Sequence, residues 1–242
     1  MGQGLANFIL IIFLIPLIRF IYSMTQEKET KIKEAMLMMG MSEAGYNCSW
    51  FVYYLIISFS ISFVLALFGG LVFFAKSMPV ILFLVYFSFA LAVYGLINFF
   101  QSIFSSPRNA IIVGIILYWL SGFVGIAVAD PGIDIGFKFL TSIFPTVGMQ
   151  LVSKTIASFE ASGTGVQFDN WNVVYQNYTI IGFIGMMLLD GAFFWILGWY
   201  LENVLPHDWG VRKGVCFCVS RSYWCGNKKR ARTYRGRSML ID

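Results

Sequence analysis

Of the residue types that carry most enzymatic chemistry, this chain of 242 residues holds one histidine and four cysteines. The histidine, His207, stands between Pro206 and Asp208 with no nucleophile in a paired motif beside it. Three cysteines, Cys216, Cys218 and Cys225, follow a C-x-C-x6-C spacing, and the fourth, Cys48, is remote. A zinc site needs paired C-x2-4-C units with further Cys or His ligands, so no metal site is expected. A phosphate-binding loop needs G-x-x-x-x-G-K-[ST], and Gly163-Thr164-Gly165 lacks the lysine and the strand–loop–helix setting. There is no Ser–His–Asp set and no H-E-x-x-H. The chain is therefore not expected to be an enzyme by itself.

Three other features could carry function. Glu27 to Met41 reads as an amphipathic helix, with Ile32, Ala35, Met36 and Met39 at helical spacing. Glu27–Lys31 and Glu29–Lys33 would form i,i+4 pairs in the favourable order, and Gly40 would cap the C-terminus. Such a helix either lies on lipid headgroups with its charges solvated or receives force from a cytoplasmic partner. Arg19 and Asp190 are the second and third features, both inside long apolar runs. An ionisable group at membrane depth is a functional candidate by default. For Asp190 the structural alternatives are a protonated side chain or a hydrogen bond within the bundle to hydroxyls such as Ser58, Ser60, Ser62 or Ser88.

The elements that position these residues follow from composition. Of the whole chain, 58% is hydrophobic and 12% charged, against about a quarter charged in soluble domains. Lipid must be the solvent for much of that surface. About five spans are expected: 4–24, 48–75, 79–105, 109–129 and 178–201. The two long ones must tilt or project beyond the bilayer. Residues 135–156, broken by Pro145 and carrying Lys138 and Lys154, suit two short re-entrant helices on the outer side. The fold class is therefore all-α and polytopic, with a membrane domain over 1–205 and a basic tail over 206–242.

Charge orients the chain. Nine of the 17 Lys and Arg fall between Arg212 and Arg237, which reads as a cytoplasmic juxtamembrane segment and not a nucleic-acid site. With 26–47, 105–108 and the tail inside, thirteen Lys and Arg are cytoplasmic, and Lys76, Lys138 and Lys154 are outside. No cleavable signal peptide is evident, and the outside N-terminus so close to the first span suggests missing upstream sequence. The sequons at Asn47 and Asn177 read as chance matches, one inside and one against the membrane.

A set of strings in fixed order resembles the A subfamily of ABC transporters. Glu27-Lys28-Glu29-Thr30-Lys31-Ile32-Lys33-Glu34-Ala35-Met36 with Met39-Gly40-Met41 is similar to that family's cytoplasmic helix, and Trp50-Phe51 to the start of its next span. Gly163-Thr164-Gly165-Val166-Gln167-Phe168 with Asn170 and Trp171 resembles its extracellular stretch, Phe168 replacing a usual Trp. Leu189-Asp190, Leu197-Gly198-Trp199-Tyr200-Leu201, Val204-Leu205-Pro206 with Trp209-Gly210, and Ser222-Tyr223-Trp224 continue the series. The resemblance implies ATP-driven movement of lipids or other hydrophobic substrates across a bilayer. It implies a coupling helix using Glu27, Lys31, Ile32, Met36, Met39 and Gly40, and as partners a nucleotide-binding domain and a second transmembrane half. ATP and Mg²⁺ would belong to that separate domain, with no cofactor on this chain. The family's first span, extracellular domain and ATPase domain have no counterpart here, as expected of a fragment, a truncated gene model or a partner-dependent subunit. A non-transporting subunit and a passive channel or scramblase are the alternatives.

Overall fold

The structure, a computed structural model, describes residues 2–130, 132–174 and 179–205. Eight α-helices account for it: α1 (Gly2–Glu29), α2 (Ile32–Met38), α3 (Glu43–Phe68), α4 (Pro79–Ile103), α5 (Pro107–Val128), α6 (Ile135–Thr141), α7 (Pro145–Ala161) and α8 (Ile180–Val204). A π-helical turn, Gly69–Phe73, extends α3. There is no strand among the described residues. Prolines start α4, α5 and α7, where the missing N–H costs nothing and the ring presets φ. Ser42 caps α3, its Oγ accepting from Gly45 N at 3.1 Å.

Five helices are long and apolar enough to cross a membrane: Gly4–Glu29, Glu43–Phe73, Pro79–Ile103, Pro107–Val128 and Ile180–Val204. The all-α polytopic expectation holds. In the most apolar stretch of α4, 72% of residues are buried, against 22% in α3 and 28% in α5 and α8. α4 is therefore the axis, and the others turn apolar surface outward. Phe59, Phe63, Ile116, Leu120, Phe123 and Leu189 are among the large side chains left exposed. An apolar belt of that kind needs lipid to cover it.

The helix ends sort into two groups. At one end, Lys28 Nζ on α1 donates to Gln101 O on α4 at 2.9 Å and pairs with Glu202 on α8. At the other, a Cβ on Gly2 of α1 would stand 3.0 Å from Lys154 Cα on α7, and the link between α3 and α4 meets Glu160 of α7. These contacts set the two ends of the bundle.

Two elements differ from the sequence expectation. The helix expected over Glu27–Met41 is broken: α1 runs on to Glu29, and Lys31 stands in the left-handed region at φ 60° before the seven-residue α2. Thr30 Oγ1 turns back onto Gln26 O at 2.8 Å, a local bond that competes with helix continuation. The two helices expected over 135–156 are unequal, and the second, α7, continues to Ala161. Its length follows from burial. Thr146 to Ser153 are all buried, and α7 packs against both α1 and α5.

Candidate functional site

The end of the bundle that carries α2 gathers most of the charged contacts. Glu202, near the end of α8, accepts from Lys33 Nζ on α2 at 2.5 Å and pairs with Lys28 Nζ at 3.0 Å. All three side chains are mostly buried. Glu27 Oε2 accepts from Tyr46 Oη at 2.7 Å and from Trp50 Nε1 at 3.3 Å, both on α3. Lys33 Nζ also lies 4.9 Å from the Tyr46 ring centroid, within cation–π range. So α1, α2, α3, α4 and α8 are tied together by Glu27, Lys28, Lys33 and Glu202. The expected i,i+4 pairs do not form: Glu27 points to α3, and Lys33 points to α8. The break at Thr30–Lys31 removes the helical register those pairs require.

The apolar stripe is also redistributed. Met36 is half-buried, and Ile32 and Ala35 are exposed. Met38 and Met39 are 84% and 80% exposed, so these two methionines form the outermost apolar surface of α2. Gly40 sits just past the helix at φ 103°, Gly40 N donating to Leu37 O and Met41 N to Met36 O, each at 3.1 Å. That bond pair is a Schellman stop, which needs a residue tolerant of positive φ. It holds Met38 and Met39 at a fixed corner. Lys31 is the αL residue that precedes α2.

Asp190 and Arg19 are not brought together. Asp190 is 3% exposed on the stripe of α8 that includes Met187, Gly191, Phe194 and Gly198. Its Oδ2 has no hydrogen-bond partner among the described residues. The hydroxyls of Ser60 and Ser88 donate to Ile56 O and Val85 O of their own helices, and Ser62 Oγ is unpartnered. Among the described residues no bond from this serine set reaches Asp190, and Ser60 and Ser88 bond back within their own helices instead. Arg19 is exposed on α1, beside α3.

The opposite end explains the glycine-rich string 163–168. Gly163 and Gly165 have φ of 84° and 62°. Met78 N donates to Val166 O at 2.9 Å, Val166 N to Ser77 Oγ at 3.0 Å, and Ser77 Oγ to Glu160 Oε2 at 2.9 Å. Asn170 Nδ2 donates to Gly165 O at 2.7 Å, and Gln167 N to Asn170 Oδ1 at 2.8 Å. The segment clasps the α3–α4 link. A Cβ on Gly165 would stand 2.2 Å from Lys76 O. Gly165→Ala is accordingly expected to lower stability by about 2–3 kcal/mol, through backbone strain and displacement of Lys76. Thermal melting of the detergent-solubilised chain measures this, with Gly4→Ala, which meets nothing within 4 Å, as control.

Sequence reasoning did not single out Glu202, Tyr46 or Gln101. Glu202 was legible in one respect, as the only carboxylate between Asp190 and Asp208. The tail cysteines, His207, Asn177 and the strings from Pro206 onward lie outside the described residues.

The architecture is that of a polytopic helical membrane domain, whose charged contacts concentrate at the end bearing the short helix α2. Residues 1–200 match the ABC-2 family transporter proteins, and the chain belongs to that family. Its relatives are A-subfamily ABC transporters. It is 32% identical over 227 residues to ABC transporter A family member 9 of Arabidopsis thaliana, covering 85% of this chain and 23% of that protein. With phospholipid-transporting ATPase ABCA3 of Mus musculus the identity is 29% over 220 residues, 86% of this chain and 13% of the relative. With glucosylceramide transporter ABCA12 of Mus musculus it is 24% over 213 residues, 85% and 8%. The chain thus spans less than a quarter of the length of each of these relatives.

Proposed function

We propose that the chain is one membrane half of a lipid-moving ABC transporter, acting on lipids or other hydrophobic substrates through an ATPase domain that is not among its own residues. In this reading ATP and Mg²⁺ belong to that domain, and a second transmembrane half completes the path. The chain alone would turn over no ATP. Its basic tail, 206–242, would lie in the cytoplasm with α2. The observation that carries the reading is the exposed methionine corner, Met38 and Met39, on a helix tied to α1 and α8 through Glu202. Flexible thioethers suit a surface that repacks against a moving partner. A displacement of α2 would reach α1 through Lys28 and α8 through Lys33, biasing the bundle between two arrangements. The names of the relatives, a phospholipid-transporting ATPase and a glucosylceramide transporter, support a lipid as the cargo.

The test is binding of the purified chain to an isolated nucleotide-binding domain from an A-subfamily relative. Met38→Ala with Met39→Ala keeps helix propensity and deletes contact area. The double variant is expected to bind more weakly by about 1–3 kcal/mol. Unchanged affinity would remove this corner as the docking surface.

A further inference from the structure

Arg19 faces a groove of about 200 Å³ between α1 and α3, whose lining also includes Phe20, Ser23, Trp50, Tyr53 and Ile57. Arg19, Ser23 and Tyr53 all line it, and no acceptor among the described residues takes a hydrogen bond or ion pair from the Arg19 guanidinium, the Ser23 hydroxyl or the Tyr53 hydroxyl. Trp50 Nε1 is already committed to Glu27. The aromatic wall is preformed, with Phe20 and Trp50 centroids 5.8 Å apart, Phe20 and Tyr53 5.2 Å, and Trp50 and Tyr53 6.0 Å. Trp50 and the exposed Tyr53 form an aromatic pair of the kind found at the headgroup level of a bilayer. Arg19 lies nine residues before Lys28, about 13 Å deeper along the helix axis, and lines the groove beside Phe20, Trp50 and Tyr53.

We infer that this groove is a binding site for one anionic glycerophospholipid, from the leaflet nearest the Lys28–Glu202 end. The phosphate would accept from Arg19, Ser23 and Tyr53, and an acyl chain would run along Ile57. The guanidinium fork matches a phosphate bidentately. Charge complementarity selects an anionic headgroup, because among the described residues Arg19 is the only charged one lining the groove, with no described carboxylate beside it to receive a choline or ethanolamine ammonium. The site lies on the outer surface of the α1–α3 pair. The inference rests on the chain spanning a membrane and not on any transport activity.

The experiment is native mass spectrometry of the full chain, released from detergent with phosphatidylglycerol or phosphatidylcholine of matched acyl chains. The wild-type chain is expected to retain one phosphatidylglycerol with about tenfold preference, because phosphatidylcholine carries a compensating ammonium beside its phosphate and phosphatidylglycerol does not. Arg19→Gln should bring the two lipids to parity. Tyr53→Phe, which keeps the ring and its packing, should weaken retention of both lipids about tenfold, by one charge-assisted hydrogen bond to the phosphate they share, and leave the preference between them unchanged. Excess glycerol 3-phosphate should leave the bound lipid in place. Parity in the wild-type chain, or an undiminished preference in Arg19→Gln, overturns the site. Displacement by glycerol 3-phosphate overturns the lipid assignment in favour of a soluble phosphate ligand.

Discussion

Glu202→Gln is expected to destabilise the chain by about 3 kcal/mol, the largest effect of any single polar substitution at the α2 end. The carboxylate holds two ammonium groups, Lys28 at 3.0 Å and Lys33 at 2.5 Å, on two different helices. Removing one partner from a mostly buried ion pair leaves uncompensated charge, and that loss exceeds the net worth of the pair. Here two like charges would remain side by side. Lys28 keeps its bond to Gln101 O, so α1 and α4 stay joined. α2 loses its Lys33 tie to α8 and, among the described residues, keeps the Lys33–Tyr46 ring contact to α3 and its packing against α1. Thermal melting measures the loss. A double-mutant cycle with Lys33→Met isolates its origin: the second substitution should cost much less in the Glu202→Gln background than alone. Equal costs in both backgrounds would mean that Lys33 and Glu202 are not coupled. The same variant should weaken transmission from α2 to α8 in the proposed transport cycle.

Gly95→Ala is the second large effect, from packing alone. A Cβ on Gly95 of α4 would stand 2.5 Å from Gly191 O on α8, a distance no real contact shows. The obstruction is backbone, which cannot rotate away. Gly198 is built into the same seam, its Cβ position 2.8 Å from Asn98 O. Between membrane helices there is no hydrophobic drive to association, since lipid tails are as apolar as leucine, so close backbone approach through small residues supplies the attraction. Forcing α4 and α8 apart should lower stability by about 2–3 kcal/mol, the upper range for overpacking. It should also open the seam that buries Asp190. Gly185→Ala on the same α8 meets nothing within 4 Å and should be neutral. A melting temperature for Gly95→Ala equal to that of Gly185→Ala would show that the seam relaxes freely.

Apolar run lengths were enough to count the crossing helices. A span must present about 20 apolar residues whatever its neighbours do, and the structure has five helices long and apolar enough to cross, Pro79–Ile103 and Pro107–Val128 among them. The helix start at Pro79 was legible because proline acts locally, through a fixed φ and a missing N–H, whereas Pro107, read as part of the 105–108 turn, opens α5. Gly40 was legible for the same reason, since a positive-φ stop is a property of a few consecutive residues. The family was legible in ordered strings that run the length of the chain.

What the sequence alone did not reach depends on contacts between residues far apart in the chain. Periodicity favoured one helix over Glu27–Met41, yet Glu27 is drawn to Tyr46 and Trp50, Lys28 and Lys33 are drawn to Glu202, and the helix breaks between them. A local i,i+4 pair is worth only a few tenths of a kcal/mol, less than one partly buried tertiary ion pair, so the tertiary partners decided the break. Which methionines face outward was settled by that break. Asp190 was visible as a carboxylate in an apolar run, but its burial, its lack of a bond to the nearby serines and its separation from Arg19 depend on which stripe of α8 meets α4. That choice was made by Gly95, Gly191 and Gly198, through how closely two backbones can approach, a property no single helix carries.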